Sequence, residues 1–126
     1  MRPRAGRGVE RVYDHDIYMS RSHGGVFGAA ELVEGVNTES QDGQPNVRRD
    51  GRELFFYSNR PGSGGNDIYS ASRVSTSDPW STPVNLGPNV NDVTAAETRP
   101  SLSWDGRTLY FGSTRAGSSD IFFTRR

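Results

Sequence analysis

Residues 45–72 read PNVRRDGRELFFYSNRPGSGGNDIYSAS, and residues 100–125 read PSLSWDGRTLYFGSTRAGSSDIFFTR. Laid together without a gap, 45–60 and 100–115 are identical at half of their 16 positions. The shared residues are Pro45/Pro100, Asp50/Asp105, Gly51/Gly106, Arg52/Arg107, Leu54/Leu109, Phe56/Phe111, Ser58/Ser113 and Arg60/Arg115. After a loop that differs by two residues, Asp67-Ile68-Tyr69 matches Asp120-Ile121-Phe122. A partial third copy, Asp16-Ile17-Tyr18, precedes both. The period is 55 residues from proline to proline, and 51 and then 53 on the triplet. Self-similarity at such a period marks a repeat architecture and outranks any local motif.

Within each copy the chemistry is that of strands and tight turns. Asp50-Gly51 and Asp105-Gly106 are turn signals, because glycine takes a positive φ at little steric cost. Between Gly51 and Arg60 the residues alternate as a strand does. Leu54, Phe56 and Ser58 point one way, Phe55 and Tyr57 the other. Apolar mass on both faces predicts a strand buried between layers. The same reading predicts strands at 16–20, 27–33, 46–49, 53–58, 67–72, 83–86, 101–104, 108–113 and 120–124. The fourth of each set sits at an edge, where proline is tolerated. No segment makes a convincing helix. The fold class is all-β, and four short antiparallel strands per repeat suggest β-propeller blades.

The pattern P-x-x-x-x-D-G-R-x-L-x-F-x-S-x-R, then D-I-aromatic, then an aromatic and P-V-N-L-G, resembles the WD-repeat-like propeller repeat of TolB-type proteins. The resemblance covers residues 16–126. It implies a partial blade at 15–43, a full blade at 44–98 and a blade without its last strand at 99–126; residues 1–14, which show no period of 2 or 3.6, are expected to be a flexible N-terminal arm. The resemblance implies closure with about six or seven blades, and this chain supplies roughly two and a third. The expectation is therefore a piece of a longer propeller, or copies that assemble as a homo-oligomeric ring.

Composition excludes several classes. All 15 basic residues are arginine and 15 residues are acidic, so the formal net charge is zero and nothing draws the chain to nucleic acid. Apolar residues reach 32% and aromatics 10%, a polar, loop-rich chain that still carries enough aromatic mass to fold. Without cysteine there is no disulfide or thiolate chemistry. The segment MRPRAGRGVERVY lacks the apolar stretch of a signal peptide, and no run is long enough for a membrane-spanning helix.

Candidate chemistry is sparse. Arg60 and Arg115 end one strand while Asp67 and Asp120 begin the next, so an Arg–Asp pair is expected to pin each hairpin. Asp42 and Glu97 share a repeat position, which marks them as architecture, since a catalytic pair is normally unique. Asp14-His15-Asp16 puts ligand types on opposite faces of a strand, poor geometry for a metal. The glycine-rich run at 61–66 lacks the Lys-Ser/Thr ending and the helix of a phosphate loop. Trp80 and Phe27 are expected to pack just before their edge strands. Trp104, whose counterpart is Arg49, is expected on the innermost strand as a surface contact.

These residues predict no catalytic, cofactor-binding or metal site. They predict a non-catalytic binding or scaffold module that engages a protein partner. The resemblance adds a setting in the periplasm or bacterial cell envelope. Two alternatives stand beside it: the accessory propeller of a prolyl-oligopeptidase-like hydrolase, and a carbohydrate-binding ring.

Overall fold

A computed structural model describes residues 14–126. Most of the arm expected at 1–14 lies outside the described residues. The described chain forms eleven strands and no helix, arranged as several small antiparallel sheets. No helix among the described residues is long and apolar enough to cross a membrane.

Two sheets dominate. The first has four strands in sequence order: β5 (Asp42–Val47), β6 (Glu53–Ser58), β7 (Asp67–Ser72) and β8 (Val84–Asn85). The second has three: β9 (Glu97–Leu102), β10 (Thr108–Ser113) and β11 (Asp120–Arg125). Ahead of them, β1 (Tyr18–Met19) pairs with β4 (Glu31–Leu32), and β2 (Ser22–His23) pairs with β3 (Val26–Phe27) as a small hairpin.

The strand β6 is buried on both faces. Leu54 and Phe56 enter a core with Ile17, Val33, Val36, Tyr69 and Ala71. Phe55 and Tyr57 enter a second core with Ile68, Val90, Leu109 and Phe111. The first sheet is thus packed between the β1–β4 segment and the second sheet, and each buried aromatic contributes about 1.5–3 kcal/mol. The second sheet uses one face only. Leu109 and Phe111 are buried, while Tyr110, Ile121 and Phe123 on the opposite face are exposed.

Register in the two sheets is the same. Asp42, Gly43, Asn46 and Val47 stand opposite Ser58, Tyr57, Phe55 and Leu54. Glu97, Thr98, Ser101 and Leu102 stand opposite Ser113, Gly112, Tyr110 and Leu109. Both ladders skip two residues on the first strand, Gln44-Pro45 and Arg99-Pro100. Proline has no N–H to give a ladder, and these bulges place it where none is needed. Gln44 and Arg99 are the non-glycine residues with positive φ among those described, at 51° and 53°.

Several boundaries differ from the sequence reading. The first strands of the large sheets begin at Asp42 and Glu97, upstream of the expected 46 and 101. Alternation fails across the bulge, so the upstream halves do not look like strands. The single strand expected at 27–33 is two strands, β3 and β4, with different partners.

Candidate functional site

The chemistry concentrates where one unit meets the next. At the end of β6 the chain turns, and the Arg60 guanidinium folds back. Its Nε donates to Ser58 Oγ at 2.9 Å and its Nη2 to Asp42 Oδ1 at 2.9 Å. The same Nη2 donates to the Val36 carbonyl at 2.7 Å. Arg115 repeats this set: Nε to Ser113 Oγ at 2.9 Å, Nη2 to Glu97 Oε2 at 3.3 Å, and Nη2 to the Val90 carbonyl. Each guanidinium lies near two rings, Phe56 and Tyr69 for Arg60, Phe111 and Phe122 for Arg115.

The expected hairpin pairs are therefore corrected. Arg60 takes Asp42 and not Asp67; Arg115 takes Glu97 and not Asp120. Ser58 stands opposite Asp42 on one side and Asp67 on the other, so the guanidinium folded over it has a carboxylate either way. Asp67 is taken up elsewhere, accepting from Gly64 N at 3.2 Å and Asn85 Nδ2 at 2.9 Å. Asp120 is exposed and accepts from Ser118 Oγ at 3.2 Å.

Asp42 and Glu97 are both fully buried. Besides the arginine, Asp42 accepts from the Thr38 amide and hydroxyl at 2.7 and 2.8 Å. Glu97 accepts from Ser113 Oγ at 2.8 Å and Asp92 N at 3.2 Å. A buried carboxylate with both oxygens engaged and a guanidinium beside it is closed to a solute. This arrangement fixes strands; it does not present a base.

Two asparagines outside the strand pattern hold the isoleucines. Asn37 Oδ1 accepts the Ile17 N–H at 2.7 Å, and its Nδ2 donates to the Ile17 carbonyl at 2.9 Å. Asn91 does the same for Ile68, at 2.8 and 3.0 Å. The signal that could have found them is the Val-Asn dipeptide at 36–37 and 90–91, one copy before each large sheet after the triplet. Each Val-Asn connector reaches both ways. Its asparagine clasps the isoleucine behind it, and its valine carbonyl meets the arginine ahead.

The turn residues lie at one end. Gly51 and Gly106 have φ of 76° and 75°. Asp50 Oδ1 accepts from Arg52 N, and Asp105 Oδ1 from Arg107 N, both at 3.0 Å. Trp104 is in the turn after β9, not on the innermost strand as expected, because β9 ends at Leu102. It is 74% exposed, with the Arg49 guanidinium 3.8 Å from its ring centroid. Equivalent turn positions of the two sheets thus stack on each other. Nearby, Arg126 forks onto Glu53 at 2.7 and 2.9 Å and ties the end of the second sheet to the first.

Of the remaining candidates, Trp80 is half-buried against the first core with Arg73 over its ring at 3.9 Å. Phe27 is exposed, contrary to the packing expected for it, since β3 joins a separate hairpin. His15 Nδ1 lies 2.9 Å from the Tyr57 hydroxyl, and Gln41 Nε2 donates to Asp14 Oδ1 at 2.8 Å. Among the described residues no group of three or more ligand-type side chains is placed to hold a metal ion.

No protein-family model matches the chain, and no curated protein matches it either.

Proposed function

We propose that the chain is a non-catalytic binding or scaffold module of stacked β-propeller blades, similar to those of TolB-type proteins. In this reading β5–β8 form a whole blade, β9–β11 a blade short of its outer strand, and β1 and β4 the outer strands of a preceding one. The observation that carries it is the double occurrence of the arginine–carboxylate–serine set with its buried carboxylate and serine. A constellation used once per unit serves each unit, whereas catalysis needs one site. The rigid stack then presents its turns to a protein partner. The exposed Trp104 under Arg49 is the best contact there, since aromatic and arginine side chains dominate binding hot spots. The TolB-type resemblance sets this activity in the bacterial cell envelope.

The test is photo-crosslinking from a benzophenone side chain at position 104, in cells that express the chain. The reading expects one discrete protein adduct, lost when the probe is moved to an exposed position on the opposite end. Turnover of an ester, peptide or glycoside by the purified chain, abolished by a single side-chain change, would refute it.

A further inference from the structure

We propose that the turn end of the stacked sheets takes up an acidic segment of a partner protein, with a carboxylate in the guanidinium fork of Arg49 and an apolar side chain on Trp104. The inference rests on reading the chain as a protein-binding module, and it names the chemistry of the partner.

The zero formal net charge conceals a separation. Arg48, Arg49 and Arg52 flank the first Asp-Gly turn, and Arg107 the second. Arg73 leaves β7 with its N–H on the Arg52 carbonyl. Arg125 and Arg126 end β11 in the same way, beside Arg107. Against these seven stand four carboxylates, Asp50, Glu53, Asp78 and Asp105. At the opposite end Asp67, Asp92 and Asp120 join the buried Asp42 and Glu97, against Arg60 and Arg115. The turn end is therefore positive and the other end negative, a field that steers an acidic partner to the turns.

The carboxylates of the turn end are shared. Among the described residues its ion pairs join Arg48 and Arg52 to Asp50, and Arg48 and Arg126 to Glu53. Arg49 is in none of them. Its guanidinium lies flat over Trp104, 3.8 Å from the ring centroid, and its in-plane N–H donors meet no acceptor among the described residues. A guanidinium stacked on a ring keeps its edge for a planar, two-oxygen acceptor. Asp50 shows the form such an acceptor takes here, receiving Arg48 Nε at 2.9 Å and Nη2 at 3.0 Å. Arg49 stands mid-chain, and six strands follow it, β6 to β11. They supply a ring to its face and nothing to its edge. Trp104 beside it is 74% exposed.

Two features select a protein segment over a phosphate polymer. Seven arginines less four carboxylates leave an excess of three charges, whereas a nucleic-acid interface engages about 6–10 phosphates. Asp50 and Asp105 also stand in the two turns, where they repel a continuous phosphate chain and leave room for spaced carboxylates.

The test is fluorescence anisotropy of a labelled synthetic peptide, glutamates around one leucine, titrated with the full chain. Binding is expected to saturate and to weaken as salt rises. Arg49→Gln is expected to weaken it about tenfold, the worth of hydrogen bonds to a charged group. Arg49→Lys keeps the charge without the fork and is expected to recover less than half of that loss. Trp104→Ala is expected to weaken binding too. Arg99→Gln removes one charge away from the turns, at a position whose counterpart is already glutamine, and is expected to change nothing. Equal weakening by Arg99→Gln, or full binding by Arg49→Lys, would overturn the proposal. Tighter binding of an oligothymidylate of equal charge would overturn it as well, by making phosphate the ligand. A crosslink at position 104 that forms equally well with Arg49→Gln would overturn it while leaving the scaffold reading in place. Peptide binding with no adduct in cells would count against the scaffold reading and uphold the recognition chemistry.

Discussion

The side-chain oxygen of Gln44 receives the backbone N–H of Arg99 at 2.8 Å, and the two residues share one left-handed conformation. They stand 55 positions apart, each just before a proline. A residue before proline is steered toward extended conformations, and positive φ in a residue with a Cβ costs about 1–2 kcal/mol. That the chain takes this cost twice, at matched bulges, shows what the bulge is for. It lifts Arg99 out of the β10 ladder and turns its N–H to the neighbouring sheet. Asn46 completes the seam by accepting the Leu102 N–H at 2.9 Å.

Substitution at Gln44 separates the two effects. Gln44→Ala and Gln44→Gly both lose the bond to Arg99, but only glycine relaxes the backbone. Gln44→Gly is expected to unfold at higher urea than Gln44→Ala, by about 1 kcal/mol. Equal midpoints would show that the left-handed conformation carries no strain.

Removing one partner of a buried ion pair leaves the other charge stranded. Arg60→Met is expected to cost about 3–5 kcal/mol in urea unfolding, because Asp42 stays wholly buried. The double variant Arg60→Met with Asp42→Val is expected to recover a large part of that loss. A double variant as unstable as the sum of the two single ones would contradict the stranded-charge account.

The asparagine clasps should matter in the same way in both places. Asn37→Ala and Asn91→Ala each leave an isoleucine N–H without its partner, at about 1–3 kcal/mol. Hydrogen exchange at Ile17 and Ile68 should quicken in the respective variants. A rate at Ile68 unchanged by Asn91→Ala would show that the clasp is incidental.

Much of this was legible and some was not, for identifiable reasons. The strands β6 and β10 could be bounded from alternation, because Asp-Gly turns fix one end and Ser-x-Arg the other. The partner of Arg60 could not. Ser58 has a carboxylate on each side, and only the third dimension shows that Asn85 occupies Asp67. The bulges at Gln44 and Arg99 hid the upstream halves of β5 and β9, since a strand that skips two residues breaks its own period. For the same reason Trp104 lies in the turn after β9 and not on the strand that the sequence pattern indicates. The Val-Asn connectors show no strand alternation; their role lies in contacts 20 or more residues away.

The response to pH has two shoulders. Asp92 is held below the ordinary carboxylate range by the Thr94 hydroxyl and then the Thr94 amide. Asp105 is held there by the Ser103 hydroxyl and then the Arg107 amide, and Asp50 chiefly by hydrogen bonds from Arg48. A depressed folded pKa gives stability that is present above the unfolded value, about 4, and is lost as pH falls through the folded one. Tyr57 is shifted the other way, upward by burial and then by the Asp42 charge. Its neutral form is favoured in the fold, so that contribution is present below about pH 10 and is lost as pH rises. Melting temperature against pH should show a plateau between these limits. Melting that rose on acidification below pH 4 would contradict the depressed carboxylates.

The account stands on the equivalence of two sheets packed face to face, and methyl NOE spectroscopy reads it directly. With isoleucine, leucine and valine methyls labelled, Ile68 should give cross-peaks to Val90 and Leu109, and Leu54 to Ile17 and Val36. Ile121 should give neither counterpart. Leu54 and Leu109 in unrelated surroundings, or no cross-peak between Ile68 and Leu109, would contradict it.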